Sequence, residues 1–283
     1  MVIKKIKIVR PVNLLIVALT MFIVLYKFKD EHAVDYWFNA LLLILPAVLT
    51  AAAGYVINDI FDTLTDSINK PERVTVGKII SKQQAWLLYS VLTIISLLIA
   101  WRFSFTYFNI DLSISLLLAL YALKFKAMPL IGNLFVALCS AAVVGSCLLI
   151  ASFETRSGML NFTGYILFAF FTSLIREIVK DLQDIEGDKA AGYHTYPIIM
   201  GERGAKVFLY VLLGMQILLS GLYSVLAWGI GMRTSALIMG VITLSLFYFI
   251  NHVANAKHKE AYLESSTLMK YIMVVGVINL IFS

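Results

Sequence analysis

The chain has 283 residues, of which 60% are hydrophobic and only 14% charged, with a mean hydropathy of +0.87 and a formal net charge of +6. That composition excludes a soluble globule of this size and places the chain among integral membrane proteins. Its expected surroundings are membrane lipids and lipophilic ligands, with no nucleic acid among its partners.

In chain order, apolar runs recur at about 11–27, 37–57, 84–101, 109–123, 130–152, 160–178, 206–229, 234–251 and 267–283. Such recurrence with polar breaks predicts an all-α bundle of about nine transmembrane helices with helical caps on the cytoplasmic side, since barrel strands would show short alternating segments. The first run has a basic preface like that of a signal peptide. It continues to Tyr26 without a small-x-small cleavage site before Lys27, so a retained helix is expected. No Gly/Ser linker or low-complexity tract interrupts the spans, and residues 1–283 are expected to form a single membrane domain. Cys139 and Cys147 lie within one predicted helix, roughly 12 Å apart along its axis, and cannot pair with each other.

Two connections, about 58–83 and 179–205, are long, and long loops in a compact bundle are usually functional. Alternating the nine spans puts eighteen Lys and Arg on one side and five on the other, namely Lys27, Lys29, Arg102, Arg156 and Arg233. By the positive-inside rule the richer side is cytoplasmic. Both long connections follow even-numbered spans and share that side, so a cell (inner) membrane protein with its site facing the cytoplasm is expected.

Each long connection opens on an acidic segment: Asn58-Asp59-Ile60-Phe61-Asp62 running to Asp66, and Asp181-Leu182-Gln183-Asp184 running to Asp188. Carboxylates gathered at a bilayer boundary repel one another and lose hydration, so they persist where cations offset them. In a helical continuation of the second span, Asn58, Asp62 and Asp66 stand at i, i+4 and i+8 and share a face, with Asp59 turned away as a supporting partner. Asp181, Asp184 and Asp188 form a matching stripe at i, i+3 and i+7. Oxygen ligands of this kind suit Mg²⁺, with Mn²⁺ as an alternative, because the ion keeps several waters and binds through a few carboxylates plus substrate phosphates. The competing readings are solvating loop acids, or ion coupling in a transporter. Against the latter, the acids sit at span ends, with none at mid-bilayer and no span interrupted by Gly or Pro near its centre. Asp62 and Asp184 are 122 residues and four spans apart, an interval compatible with a diverged duplication.

These residues carry a resemblance to a known family. Asn-Asp-x-x-Asp-x-x-x-Asp at 58–66 and Asp-x-x-x-Asp at 184–188, each after an apolar helix, resemble the UbiA superfamily of intramembrane prenyltransferases. Further matches are Arg10-Pro11-Val12-Asn13, Asn69-Lys70-Pro71-Glu72-Arg73, Gly77 with Ser81, the run from Tyr121 to Asn133, and Gly187-Asp188 with Gly192, Thr195 and Pro197. The resemblance implies transfer of an isoprenyl group from its diphosphate to a lipophilic acceptor, the diphosphate being held through Mg²⁺ on Asn58, Asp62, Asp66, Asp184 and Asp188. It further implies Arg73 as a diphosphate-binding residue, Tyr121 facing the diphosphate or the allylic carbon, and a lysine after span four, for which Lys126 is preferred over Lys124. Lys78 and Lys180 are the other cations nearest the motifs, each with an ordinary reading as a positive-inside anchor. Val74-Thr75-Val76-Gly77 departs from the Pro-rich run of many relatives, which leaves the shape of that loop open.

Asn13 in Arg-Pro-x-Asn, and the segment Arg176-Glu177-Ile178-Val179-Lys180-Asp181, most resemble the branch of the family that makes digeranylgeranylglyceryl phosphate, an ether-lipid precursor. The donor would then be geranylgeranyl diphosphate and the acceptor geranylgeranylglyceryl phosphate, whose phosphate suits Arg176 and Lys180, with Asp181 on the substrate side. Local pairing of Arg176 with Glu177 or Asp181 is the structural rival. The alternatives are prenylation of an aromatic acceptor for quinone or haem synthesis and, from another class, an ion-coupled transporter or a membrane scaffold.

Overall fold

The computed structural model describes residues 6–30, 32–72, 74–153 and 155–283. Among them the regular structure is helical, apart from an isolated bridge between Val76 and Ile80. In chain order the α-helices are α1 (Pro11–Lys27), α2 (Tyr36–Phe61), α3 (Thr63–Asn69), α4 (Lys82–Phe103), α5 (Phe105–Leu123), α6 (Ile131–Ser146), α7 (Arg156–Gln183), α8 (Ile185–Ala190), α9 (Tyr196–Gly229), α10 (Arg233–Asn255) and α11 (Lys259–Phe282). Eight of them, α6 counted with its 3₁₀ extension to Leu149, are long and apolar enough to cross a bilayer, and α1 is a shorter apolar helix. Large apolar side chains such as Leu87, Leu98, Leu218, Val225 and Leu244 point outward, a surface suited to lipid tails. The protein is an integral membrane protein of the all-α class.

The helices run further than hydropathy indicates. α7 extends the expected 160–178 to Arg156–Gln183, and α9 begins at Tyr196 instead of 206, bending at Gly201 (φ 73°, ψ 164°). A hydropathy window stops at the first charged residues, whereas backbone hydrogen bonding continues through them. The second expected long loop is therefore mostly helix, and the first is about half helix.

By packing, the chain divides into two compact units: residues up to 127 with 143–152 and 186–193, and residues 128–142 with 153–185 and 194–283. In the first, α2 is central, with α1, α4 and α5 laid against it. The end of α1 and the start of α2 carry stacked Phe22, Tyr26 and Trp37, and the turn from α4 to α5 carries Trp101, Phe105 and Phe108. Amphipathic rings at helix ends are the usual anchors of a membrane–water boundary. The opposite ends of the same helices carry the acidic and basic motifs.

Two sequence expectations need correction inside this unit. Asp111 lies within α5 and is only 2% exposed, so an acid is buried in a span after all. Thr50 Oγ1 donates to its Oδ1 at 2.8 Å and Ser96 Oγ to its Oδ2 at 2.7 Å, which ties α2, α4 and α5 together. Pro46, in turn, sits inside α2. Proline removes a helix hydrogen bond and loosens the ladder, and here Tyr107 O–H donates to the Leu43 carbonyl at 2.5 Å while Ser96 Oγ reaches the Pro46 carbonyl at 2.9 Å. The helix continues past the proline, and hydroxyls of two neighbouring helices bond its carbonyls on that stretch.

In the second unit α7 packs against α9 and α11, and α10 packs against α9 and α11. α11 comes close at Gly276, where an added Cβ would lie 2.2 Å from Phe168 Cε1. Phe168 is buried and stacked on Tyr165, so it is helix packing at this position.

Candidate active site

The first acidic segment is not one continuous helix. The ladder runs through Asn58 to Asp62, whose N–H still donates to the Asn58 carbonyl at 2.8 Å, and then breaks at Asp62 (φ −88°, ψ 9°) before α3 begins. Asp184 occupies the same kind of one-residue break between α7 and α8 (φ −104°, ψ 10°). Each acidic segment thus consists of a long apolar helix, an aspartate at the break and a short cap helix. The single stripes expected at i, i+4, i+8 and i, i+3, i+7 are each reset at that aspartate.

Within the first unit the acids are held by specific partners. Asp62 accepts from Asn58 Nδ2 and forms an ion pair with Lys126, whose side chain is largely buried. Thr65 Oγ1 donates back to the Asp62 carbonyl at 3.0 Å. Asp59, turned off the stripe, is held by Arg10 at 2.9 Å, and that guanidinium also lies over the Tyr55 ring at 4.8 Å. Arg10 itself sits in the left-handed region (φ 51°) at the head of α1, one residue before Pro11. Asn13 follows in the first turn, half-buried, its N–H on the Arg10 carbonyl. Burial, then the charges of Asp62 and Asp59, push the Asp66 carboxyl up to about 6.

The second segment touches the first where Gly187 meets Asn69. Gly187 N–H donates to Asn69 Oδ1 at 3.0 Å across 118 positions of sequence, and both residues are buried. An added Cβ at Gly187 would stand 2.3 Å from Asn69 Nδ2, so the glycine is what lets α8 close on α3. That closure brings Asp188, only 9% exposed, into the first unit. Tyr193 follows, after the positive-φ Gly192 (φ 71°). Its ring lies 5.7 Å from Lys126 Nζ. Burial, then Asp62 and Asp188, push its phenol up to about 12, so it keeps its proton at neutral pH. Tyr193 and Asn69 are site residues to which the sequence reading gave no role.

The remaining expected residues divide as follows. Lys124 is exposed, whereas Lys126 is the lysine that reaches Asp62. Tyr121 is half-buried near the end of α5. Lys78 is exposed and donates to the Pro71 carbonyl at 3.0 Å, closing its own loop. Arg73 lies outside the described residues. The loop whose shape the sequence left open folds inward: Val74, Thr75, Val76 and Ile80 are buried, and Val76 and Ile80 join a cluster with Ile8, Val56, Ile60 and Ala85. Gly77 (φ 86°) makes the reversal, its N–H on the Ile80 carbonyl at 2.8 Å. In the second unit Asp181 accepts from buried Asn133 at 2.8 Å, and Arg176 and Lys180 both contact Glu177.

Asn58 Oδ1 is buried and accepts no hydrogen bond, Lys126 supplies a cation on Asp62, and the Asp66 carboxyl is raised by burial and then by its acidic neighbours Asp62 and Asp59. These are the marks of a place where a further cation is stabilising. Among the described residues no three His, Cys, Asp or Glu side chains cage an ion by themselves. The fit is accordingly to a hard cation that keeps waters and shares substrate phosphate oxygens, as Mg²⁺ does.

The model of the UbiA prenyltransferase family matches residues 13–272. The chain belongs to the UbiA prenyltransferase family. Curated relatives agree: it is 35% identical over 208 residues to the digeranylgeranylglyceryl phosphate synthase of Methanobrevibacter smithii, covering 70% of this chain and 69% of that protein. It is 34% identical over 219 residues to the synthase of that name from Sulfolobus acidocaldarius, covering 76% and 77%. Among solved structures, the fold is similar to that of digeranylgeranylglyceryl phosphate synthase in membranes (TM-score 0.73, 24% identity, covering 99% of this chain and 97% of that one). A UbiA homolog from Archaeoglobus fulgidus bound to GPP and Mg²⁺ is also similar (TM-score 0.70, 20% identity, covering 98% and 99%). Membership of the UbiA family makes this protein a prenyltransferase and removes the transporter and scaffold readings. Asp111, an acid buried inside a span, is engaged by Thr50 and Ser96.

Proposed function

We propose that this UbiA enzyme transfers a geranylgeranyl group from its diphosphate to the free hydroxyl of geranylgeranylglyceryl phosphate, in a Mg²⁺-dependent step of ether-lipid synthesis. The observation that carries the donor half is the closure of α8 on α3 through Gly187 and Asn69, which gathers Asp62, Asp66, Asp188 and Lys126 in one unit. The acceptor half is supported by relatives named digeranylgeranylglyceryl phosphate synthase at 34–35% identity and by Arg176 and Lys180 on α7. The Archaeoglobus fulgidus homolog bound to GPP and Mg²⁺ supports the metal.

Asn58, Asp62, Asp66, Asp184 and Asp188 are the residues that would hold Mg²⁺. When bound, the ion offsets the negative charge that develops on the diphosphate as the allylic C–O bond breaks. Lys126, already aimed at Asp62, adds a mobile positive charge at the leaving group, with Arg73 assigned the same duty. Arg10 fixes Asp59, and through it the last turn of α2, so that Asp62 is presented without reorganisation. The rings of Tyr121 and Tyr193 are assigned to the positive charge growing on the allylic carbon. The whole of residues 1–283 acts as one membrane domain in this reading, with the site and its cap helices on the cytoplasmic side.

The test is an acceptor screen with purified protein, geranylgeranyl diphosphate and Mg²⁺. Geranylgeranylglyceryl phosphate should be prenylated, while 4-hydroxybenzoate and dihydroxynaphthoate should not. Prenylation of an aromatic acid with no reaction on the glyceryl phosphate lipid would overturn the acceptor assignment and leave the prenyltransferase in place.

A further inference from the structure

Both oxygens of the Asp62 carboxylate are engaged inside the protein. Oδ2 accepts from Asn58 Nδ2, and Oδ1 takes the Lys126 ammonium together with the Thr65 hydroxyl, the latter at 3.2 Å. The ion pair is withdrawn from solvent, the Lys126 side chain being 8% exposed and that of Asp62 16%.

The three partners differ in how firmly they are tied to the carboxylate. Asn58 stands one turn before Asp62 on α2, and Thr65 lies in the first turn of α3, so the helices themselves hold both beside it. Lys126 comes from a 3₁₀ turn between α5 and α6, Phe125–Ala127, 64 positions away in sequence, and reaches Asp62 on a long flexible stem. Arg10, the cation on neighbouring Asp59, is held more rigidly, by the 2.9 Å ion pair on one side and the Tyr55 ring on the other. Lys126 is therefore the partner best able to leave. While its ammonium sits on Oδ1, that oxygen is a poor ligand for a second cation, because two positive charges would share it. A diphosphate offers the same ammonium several negative oxygens in exchange for one.

We propose that Lys126 is an exchange residue: it neutralises Asp62 until the prenyl diphosphate arrives, then passes to a diphosphate oxygen and uncovers Asp62 for Mg²⁺. Metal and donor are thereby coupled through one side chain, and the coupling is reciprocal, each strengthening the binding of the other. The exchange keeps the acidic cluster from holding a metal ion before there is a leaving group for it to serve. This rests on the donor site proposed above.

The experiment is a calorimetric titration of the purified protein with Mg²⁺, first without diphosphate and then with saturating geranylgeranyl diphosphate and no acceptor. It compares wild type with Lys126→Met, Lys126→Arg and Lys124→Met. Wild type should bind Mg²⁺ weakly alone and much more tightly with the donor. Lys126→Met should bind Mg²⁺ alone at least about tenfold more tightly than wild type, the low end for one charge-assisted bond. The ratio of its two dissociation constants should shrink accordingly, even though the donor itself is held less well. Lys126→Arg keeps a cation on Asp62 and should follow wild type. Lys124→Met removes the same charge from an exposed position and should stay within about twofold of wild type in both titrations. Unchanged or weaker Mg²⁺ binding by Lys126→Met without diphosphate would overturn the proposal, and so would equal tightening in Lys126→Arg or Lys124→Met. Wild-type protein that binds no Mg²⁺ even with the donor present would overturn the donor-site reading and this inference with it, an outcome visible before any variant is made.

Discussion

Replacing Gly187 by alanine tests whether the contact between the two acidic segments is needed to assemble the site. The new Cβ would lie 2.3 Å from Asn69 Nδ2, 2.5 Å from Cγ and 2.8 Å from Oδ1, and Asn69 is buried, so its side chain has little room to yield. Overpacking of this kind costs about 1–3 kcal/mol, and loss of the Gly187 N–H bond to Asn69 adds about 0.5–1.5 kcal/mol. A total of about 2–4 kcal/mol falls on the docking of α8, a short helix, and far less on the long helices. Turnover, measured as diphosphate release, should therefore drop by more than tenfold while the thermal midpoint in detergent moves little. The second half of the test is rescue. In an Asn69→Gly background nothing remains for the Cβ to strike, and adding Gly187→Ala should cost under about 0.5 kcal/mol. Wild-type activity in Gly187→Ala, or the same loss in both backgrounds, would refute the reasoning.

Three further outcomes follow from individual contacts. Asp111→Ala removes the acceptor shared by the Thr50 and Ser96 hydroxyls, which keep each other and the Pro46 carbonyl as partners, and should destabilise the protein by about 0.5–1.5 kcal/mol for each bond lost, while Asp111→Asn costs less. Thermal unfolding checks this, and lost turnover with an unchanged midpoint would assign Asp111 to chemistry instead. Lys126→Met should lower kcat/KM for the prenyl diphosphate about 10- to 150-fold, whereas Lys124→Met, at an exposed position, should change it less than about twofold; equal effects would show that the Asp62 pair is incidental. Because the Asp66 carboxyl is raised to about 6, protons compete with metal there below that pH. Mg²⁺ affinity, followed by calorimetry, should weaken as pH falls through about 6 and be nearly flat above 7, with the low-pH weakening reduced in Asp66→Asn.

Much of this architecture can be read from the chain itself, because lipid demands long apolar helices with satisfied backbones, and each expected span has its helix. The errors come from what hydropathy does not weigh. Polar residues such as Lys180, Asp181 and Tyr196 interrupt an apolar window without excluding a helix, so the connection expected as a loop over 179–205 is mostly helical. The breaks at Asp62 and Asp184 are marked by no Gly or Pro. The apolar run read as beginning near 109 belongs to a helix that begins at Phe105, which takes Asp111 inside it. Asn69, Asn133 and Tyr193 gained their roles only from partners distant in sequence: Gly187 across 118 residues, Asp181 across 48, and the pair of Lys126 with Asp62. Asn69 and Asn133 already lay in segments matching the family, and both are buried amides, which a packed structure obliges to find partners. Tyr193 had no comparable signal beyond the glycine before it.

The central claim is that the two acidic segments form one Mg²⁺-dependent site for an isoprenyl diphosphate. Its most direct measurement is the rate of diphosphate release from geranylgeranyl diphosphate, with lipid acceptor present, as a function of free Mg²⁺ in wild type, Asp62→Ala, Asp188→Ala and the double variant. Residues that act as a unit are non-additive. The account predicts no release in chelator, near-complete loss in each single variant despite retained folding, and no further loss in the double variant. Release that persists in chelator, or single variants that keep near-native rates, would contradict it.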